Sequence, residues 1–160
     1  MADPTSNDPT ALDDAAHRAI AVALFNHAWT LLEKSDRSPA ETDELIATAH
    51  ASRFHWSRVH DAEAVRLARG EWQCSRVYAV LGRGEPALWH ARRCLAICEE
   101  SGAGGWDIAA AYEALARASA VAGDAKAAAG WKAKAVASLE AISDPEDREV
   151  IAGDIADLPV

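Results

Sequence analysis

His90, Cys94 and Cys98 stand four residues apart in turn, a spacing that lines an imidazole and two thiols along one helix face. Neighbouring members have the donor types of a soft-metal site. All three cannot share an ion, because the helical rise from His90 to Cys98 is about 12 Å. Cys94 also reads as a compact apolar residue at a helix crossing. No metal site is assigned, and no cofactor is expected.

A second concentration lies between Ala49 and Trp56, where His50, Arg53, His55 and Trp56 fall within two helical turns. Neutral imidazole serves as a base or a metal ligand. His50 and His55, however, are separated by about 140° around a helix, so they converge only if other helices intervene. The plainer reading is a helix end packed at a joint. A third grouping is Arg69, Trp72 and Arg76, which share a helix face. Such a stripe can grip a carboxylate and stack a planar group. Alternatively, both arginines pair with neighbouring acids while Trp72 packs in the core. Glu113 with Arg117 and Trp89 with Arg93 are helical pairs of the ordinary surface or interhelical kind.

No phosphate-binding loop, nucleophile elbow or two-His-plus-Glu metalloprotease helix occurs. The sequence supports no enzyme class. The formal charge of −9 and the lack of a basic block argue against nucleic acid as partner. No apolar run approaches the ~20 residues of a membrane span. The three cysteines and the absence of a signal-like segment suggest free thiols and a cytoplasmic location.

These side chains must be positioned by helices. Alanine is abundant and β-branched residues are scarce, which favours closely stacked helices, with the six tryptophans as wedges or ligand-facing groups. Residues 1–10 read as a disordered leader, and residues 11–158 as one domain. Thr10 is placed to cap a first helix running to Lys34. Ser38-Pro39-Ala40-Glu41 is a capping box opening a second, expected to end near Trp56. Asp61 is placed to cap a third, which continues through Gly70 to Leu81. Glu85 opens a fourth, to Glu100; Asp107 caps a fifth, to Gly123; Asp124 opens a sixth, to Ile142. Asp144-Pro145 begins a short seventh. No segment alternates as a strand does.

Tyr78, Gly82, Ala87 and Cys94 recur as Ser119, Gly123, Ala128 and Ala135, about 41 residues later. Ala40 and Ala47 repeat the pattern less clearly. With these matches the chain resembles the tetratricopeptide-repeat family, whose aromatic, Leu, small and turn-Gly positions fit Tyr112, Leu115, Ala116, Gly123, Asp124, Ala128 and Ala135 in order. Glu71 and Cys74 depart from it, standing where an aromatic and a Leu are expected. The resemblance covers about residues 11–142. It implies an all-α fold: antiparallel helix pairs stacked as a short right-handed solenoid, with the seventh helix as a C-terminal cap. It also implies a concave groove lined by Asn26, Trp29, Arg69, Trp72, Gln73, Arg76, Glu113 and Arg117.

Three functional readings follow. The first is a non-catalytic binding or scaffold module that takes a protein or peptide in that groove. The second is a small-molecule binder or unrecognised enzyme, with the same groove closed by the seventh helix and the His50–Trp56 segment (His50, Arg53, His55 and Trp56) into an enclosed pocket. The third is a homodimer built on Trp89 or Trp131.

Overall fold

The computed structural model describes residues 12–160, and among them every regular element is helical. The helices are α1 (Asp14–Leu32), α2 (Pro39–Arg58), α3 (Ala64–Val80), α4 (Gly84–Ser101), α5 (Trp106–Val121), α6 (Ala125–Ser138) and α7 (Pro145–Ala156), with a 3-10 turn at Leu139–Ala141. The expected leader and the Thr10 cap lie outside the described residues. Asp13 caps α1 instead, accepting from the Ala16 amide at 2.7 Å.

The capping box forms as its residues require. Ser38 Oγ accepts from the Glu41 amide at 3.2 Å, and Glu41 accepts from the Ser38 amide at 2.9 Å. Asp124 and Asp144 cap α6 and α7 through their side chains. Two expected caps do other work. Asp61 sits in the connection before α3, paired with His60, and Glu63 precedes the helix without a side-chain cap. Gly105, at positive φ, starts α5 two residues earlier than expected, so Asp107 lies in its first turn.

The turns after α3 and α5 are built alike. Gly82 and Gly123 both take positive φ, at 70° and 84°. Next to each, an amide reaches back over the helix end: Arg83 to the Tyr78 carbonyl and Asp124 to the Ser119 carbonyl, both at 2.9 Å. This is the Schellman closure that glycine makes inexpensive. The small residues that follow, Ala87, Cys94, Ala128 and Ala135, are all buried. The expected earlier counterparts Ala40 and Ala47 are exposed. In α2 the buried small residues are Ala49 and Ser52, the latter donating to the Ala21 carbonyl at 2.8 Å.

Each helix packs on its neighbours in sequence, and α3 also touches α1 and α5. Short connections between helices packed lengthwise make hairpins of the consecutive pairs. Helix α7 packs on α5 and α6, burying Ile151, Ile155 and Leu158. The cores are rich in alanine; along α5, residues Ala109, Ala110, Ala111, Ala114, Ala116 and Ala118 are all buried. Gly70 does not break α3. A Cβ there would meet Arg53 of α2 at ordinary contact distance, 3.5 Å.

Of the glycines, Gly84 leaves the least room for a side chain. A Cβ at this position would lie 2.6 Å from the Ala122 Cα. Backbone cannot yield as a flexible side chain does, so Gly84→Ala is expected to lower unfolding free energy by about 1–3 kcal/mol. Gly130→Ala, in open space on α6, is expected to raise it by about 0.5–1 kcal/mol. Urea denaturation of the two variants measures both.

Candidate functional site

Helix α3 sits between α1 and α2 on one side and α4 and α5 on the other, so it presents chemistry in two directions. Residues Glu71, Trp72, Gln73, Cys74 and Ser75 are all buried, an unusual run of polar groups for a helix centre. Each must find a partner or cost stability.

Toward α1 and α5 the partners are aromatic. Phe25, Trp29, Trp72 and Trp106 form a row, with successive ring centroids 6.5, 5.4 and 5.2 Å apart. Arg69 lies 5.0 Å from the Trp106 ring centroid, and Arg76 lies 5.8 Å from that of Trp72. Trp72 Nε1 is buried with no acceptor. Gln73 turns to α1, donating to the Phe25 carbonyl at 2.9 Å. Beside the row a partly open cleft of about 220 Å³ is lined by Val22, Phe25, Asn26, Trp56, Arg66 and Arg69. Arg18 and Arg66 each lie 5.7 Å from the Trp56 ring centroid, giving the cleft a cationic rim.

The arginines on this face are already paired. Arg69 donates through Nε and Nη2 to both oxygens of Asp107, at 2.7 and 3.2 Å. Arg76 bridges Glu113 at 3.4 Å and Asp154 of α7 at 3.0 Å. Arg117 donates to Glu113 at 2.7 Å and to the Asp154 carbonyl at 2.9 Å. Glu113 is fully buried, and burial pushes its carboxyl up against the pull of Arg76 and Arg117. The sequence-derived groove therefore divides. Asn26 and Arg69 line the open cleft, with Trp29 in the aromatic row, whereas Arg76, Glu113 and Arg117 are engaged with one another and with α7.

Toward α2 and α4 the partners are ionic. Glu71 Oε1 accepts from Arg53 Nε at 2.8 Å and Arg93 Nε at 3.0 Å, and Oε2 accepts from His90 Nδ1 at 2.6 Å. Burial opposes its ionisation, but the hydrogen bonds from His90, Arg93 and Arg53 outweigh this and hold the carboxyl at about 2. His50 Nε2 lies 2.9 Å from the Tyr78 hydroxyl, and Tyr78 stacks on His90. Burial, with the Glu71 charge nearby, pushes the Cys74 thiol up to about 12. A second cleft of about 160 Å³ opens beside Glu71, between Arg53 and Arg93.

The His50–Trp56 segment thus serves three different places. His50 and Arg53 face the Glu71 cluster, and Trp56 lines the first cleft. His55 turns to α1, its Nδ1 2.8 Å from that of His17. Cys94 and Cys98 are buried free thiols. Trp89 is exposed with Arg93 over its ring, while Trp131 is half-buried against Tyr112. Val22, Phe25, Arg66 and Trp106 carry no site expectation from the sequence, and Asp107 only that of a cap. Phe25 beside Asn26, and Arg66 one turn before Arg69, were the available signals.

Two outcomes follow for stability. Glu71→Gln is expected to cost about 3 kcal/mol, the lower end for breaking a buried ion pair, because Arg53 and Arg93 can turn outward. The Glu71 carboxyl is depressed in the fold, so its stabilisation is complete above the ordinary value of 4.5 and lost as pH falls toward about 2. Burial lowers both His50, with His90 and Arg53 adding to it, and His55, with His17 adding to it, so stability also declines as pH falls through 6.5. Denaturation midpoints followed from about pH 8 to about pH 2, assay conditions spanning both titrations, should fall in two stages, and Glu71→Gln should remove most of the lower one.

Among known proteins, no family model, curated protein or solved structure matches this chain, so the site is read from its own geometry.

Proposed function

We propose that the chain is a non-catalytic binding module of the tetratricopeptide-like kind. In this reading three helical hairpins stack as a short right-handed solenoid closed by α7. The like-built turns at Gly82 and Gly123 and the contacts of α3 with α1 and α5 support it. The occupant is a peptide segment of a protein partner, lying along α1 and α3 with one side chain in the Val22–Arg69 cleft.

The observation that carries this reading is the size and edge of the cleft. At about 220 Å³ and open on one side, it falls below the ~300–1,000 Å³ of pockets that enclose a small molecule. It suits a single bulky side chain. Phe25 and Trp56 give that side chain an apolar wall, and Asn26 offers an exposed amide at the rim. Arg18 and Arg66 favour a carboxylate next to the anchor: Arg69 is already neutralised by Asp107, whereas Arg66 meets the exposed Glu63 at 3.6 Å, a looser contact that a partner carboxylate can replace. The small-molecule reading needs an enclosed cavity around Arg, His and Trp; the two histidines of that segment face away from this cleft.

Selection of a random peptide display library on the full-length chain tests the proposal. The expected result is enrichment of a large apolar residue adjacent to Asp or Glu. Asn26→Glu and Arg66→Glu, both at exposed positions, should weaken the selected peptides at least about 10-fold, or about 1.4 kcal/mol. Enriched peptides that bind both variants with unchanged affinity would place the site elsewhere.

A further inference from the structure

We infer that His50, Cys74 and His90 form a binding site for a thiophilic divalent metal ion, with Zn2+ as the fitting ion. The three residues come from three helices, α2, α3 and α4, and are remote in sequence. One ring nitrogen of each histidine and Cys74 Sγ all lie within 4.8 Å of one another. Tetrahedral bonds of about 2.0–2.3 Å place donors some 3.5 Å apart, so the trio needs to close by about an ångström. His50 is half-buried and has room to supply that movement, whereas Cys74 and His90 are fixed by burial.

The chemistry around the trio is that of a metal ligand set. His90 Nδ1 is engaged by Glu71 Oε2 at 2.6 Å, which leaves Nε2 as the ring atom His90 can offer to an ion. A carboxylate holding the far nitrogen of a histidine is the arrangement that orients imidazole toward zinc. Arg53 and Arg93 hold Glu71 in turn, which fixes the ring at one remove. Binding exchanges the thiol proton for the ion: Cys74–SH and Zn2+ give the zinc thiolate and one released H+. Three protein donors leave a fourth position open, and the Tyr78 hydroxyl, 2.9 Å from His50 Nε2, is a neighbouring polar group. The surroundings hold two guanidinium groups against one carboxylate, so that position favours water, hydroxide or another small anion. Cys94 and Cys98, the cysteines whose spacing invites a metal assignment, lie outside this trio and serve as internal controls.

The full-length chain, stripped of metal by a chelator and kept reduced, is titrated with Co2+ and then Zn2+. Cobalt reports its ligands directly through a thiolate charge-transfer band in the near ultraviolet and strong visible bands from tetrahedral coordination. The expected result is one Co2+ per chain with both signatures, abolished by stoichiometric Zn2+. Cys74→Ser should lose the charge-transfer band, and Cys94→Ala with Cys98→Ala should keep it. Glu71→Gln should weaken Zn2+ by about 10–100-fold, and His50→Gln by more than that. Circular dichroism confirms that each variant remains helical. Should Cys74→Ser unfold, His50→Gln at its half-buried position carries the test alone. Absence of a one-to-one cobalt complex overturns the site. So does a charge-transfer band that survives Cys74→Ser, or full affinity in folded His50→Gln.

Discussion

Glu71 sits at the centre of α3 with its carboxylate buried, held by Arg53 from α2 and by His90 and Arg93 from α4. A carboxylate in that position is tolerable only if all its lone pairs are answered, and the three partners come from the two helices that flank it. The apolar packing alone is too permissive to enforce such an arrangement. Much of it is alanine, whose smooth surface lets helices slide and rotate with little penalty. The ionic contacts have direction. They fix which faces of α2 and α4 turn toward α3, and with them the positions of His50, Cys74 and Tyr78.

The same device appears a second time. Glu113 occupies the centre of α5, also fully buried, and its partners Arg76 and Arg117 tie α3, α5 and α7 together through Asp154. Between these two anchors α3 has little freedom to rotate. The Trp29–Trp72–Trp106 row, with Trp72 itself buried, and the open cleft beside it are therefore backed by a fixed helix. Rigidity lowers the ordering cost that a binding surface would otherwise incur when a partner arrives.

The helical order was readable because its punctuation is local. The capping box at Ser38 and the turn glycines at 82 and 123 act within a few residues of where they stand, and their geometry appears as their types require. Asp107 shows where local reading stops. As a cap it is an ordinary choice, yet it lies within α5 and answers Arg69, 38 positions earlier in the chain. Which arginine meets which acid depends on helix crossings that the sequence does not encode pairwise. The departures at Glu71 and Cys74 were visible as oddities in an apolar pattern. Their meaning was not, because it resides in side chains from α2 and α4. The angular argument that separated His50 from His55 holds in space: one faces α4, the other α1. The partners that each then finds were beyond it.

If Glu71 is the tie between α2 and α4, Arg53 and Arg93 act through one carboxylate although they belong to different helices. A double-mutant cycle on Arg53→Ala and Arg93→Ala, read by urea denaturation, measures this directly. Sharing one buried carboxylate requires a coupling free energy of about 0.5–3 kcal/mol between them. Stability losses that add to within about 0.3 kcal/mol would contradict it, because independent arginines would not be sharing the buried charge.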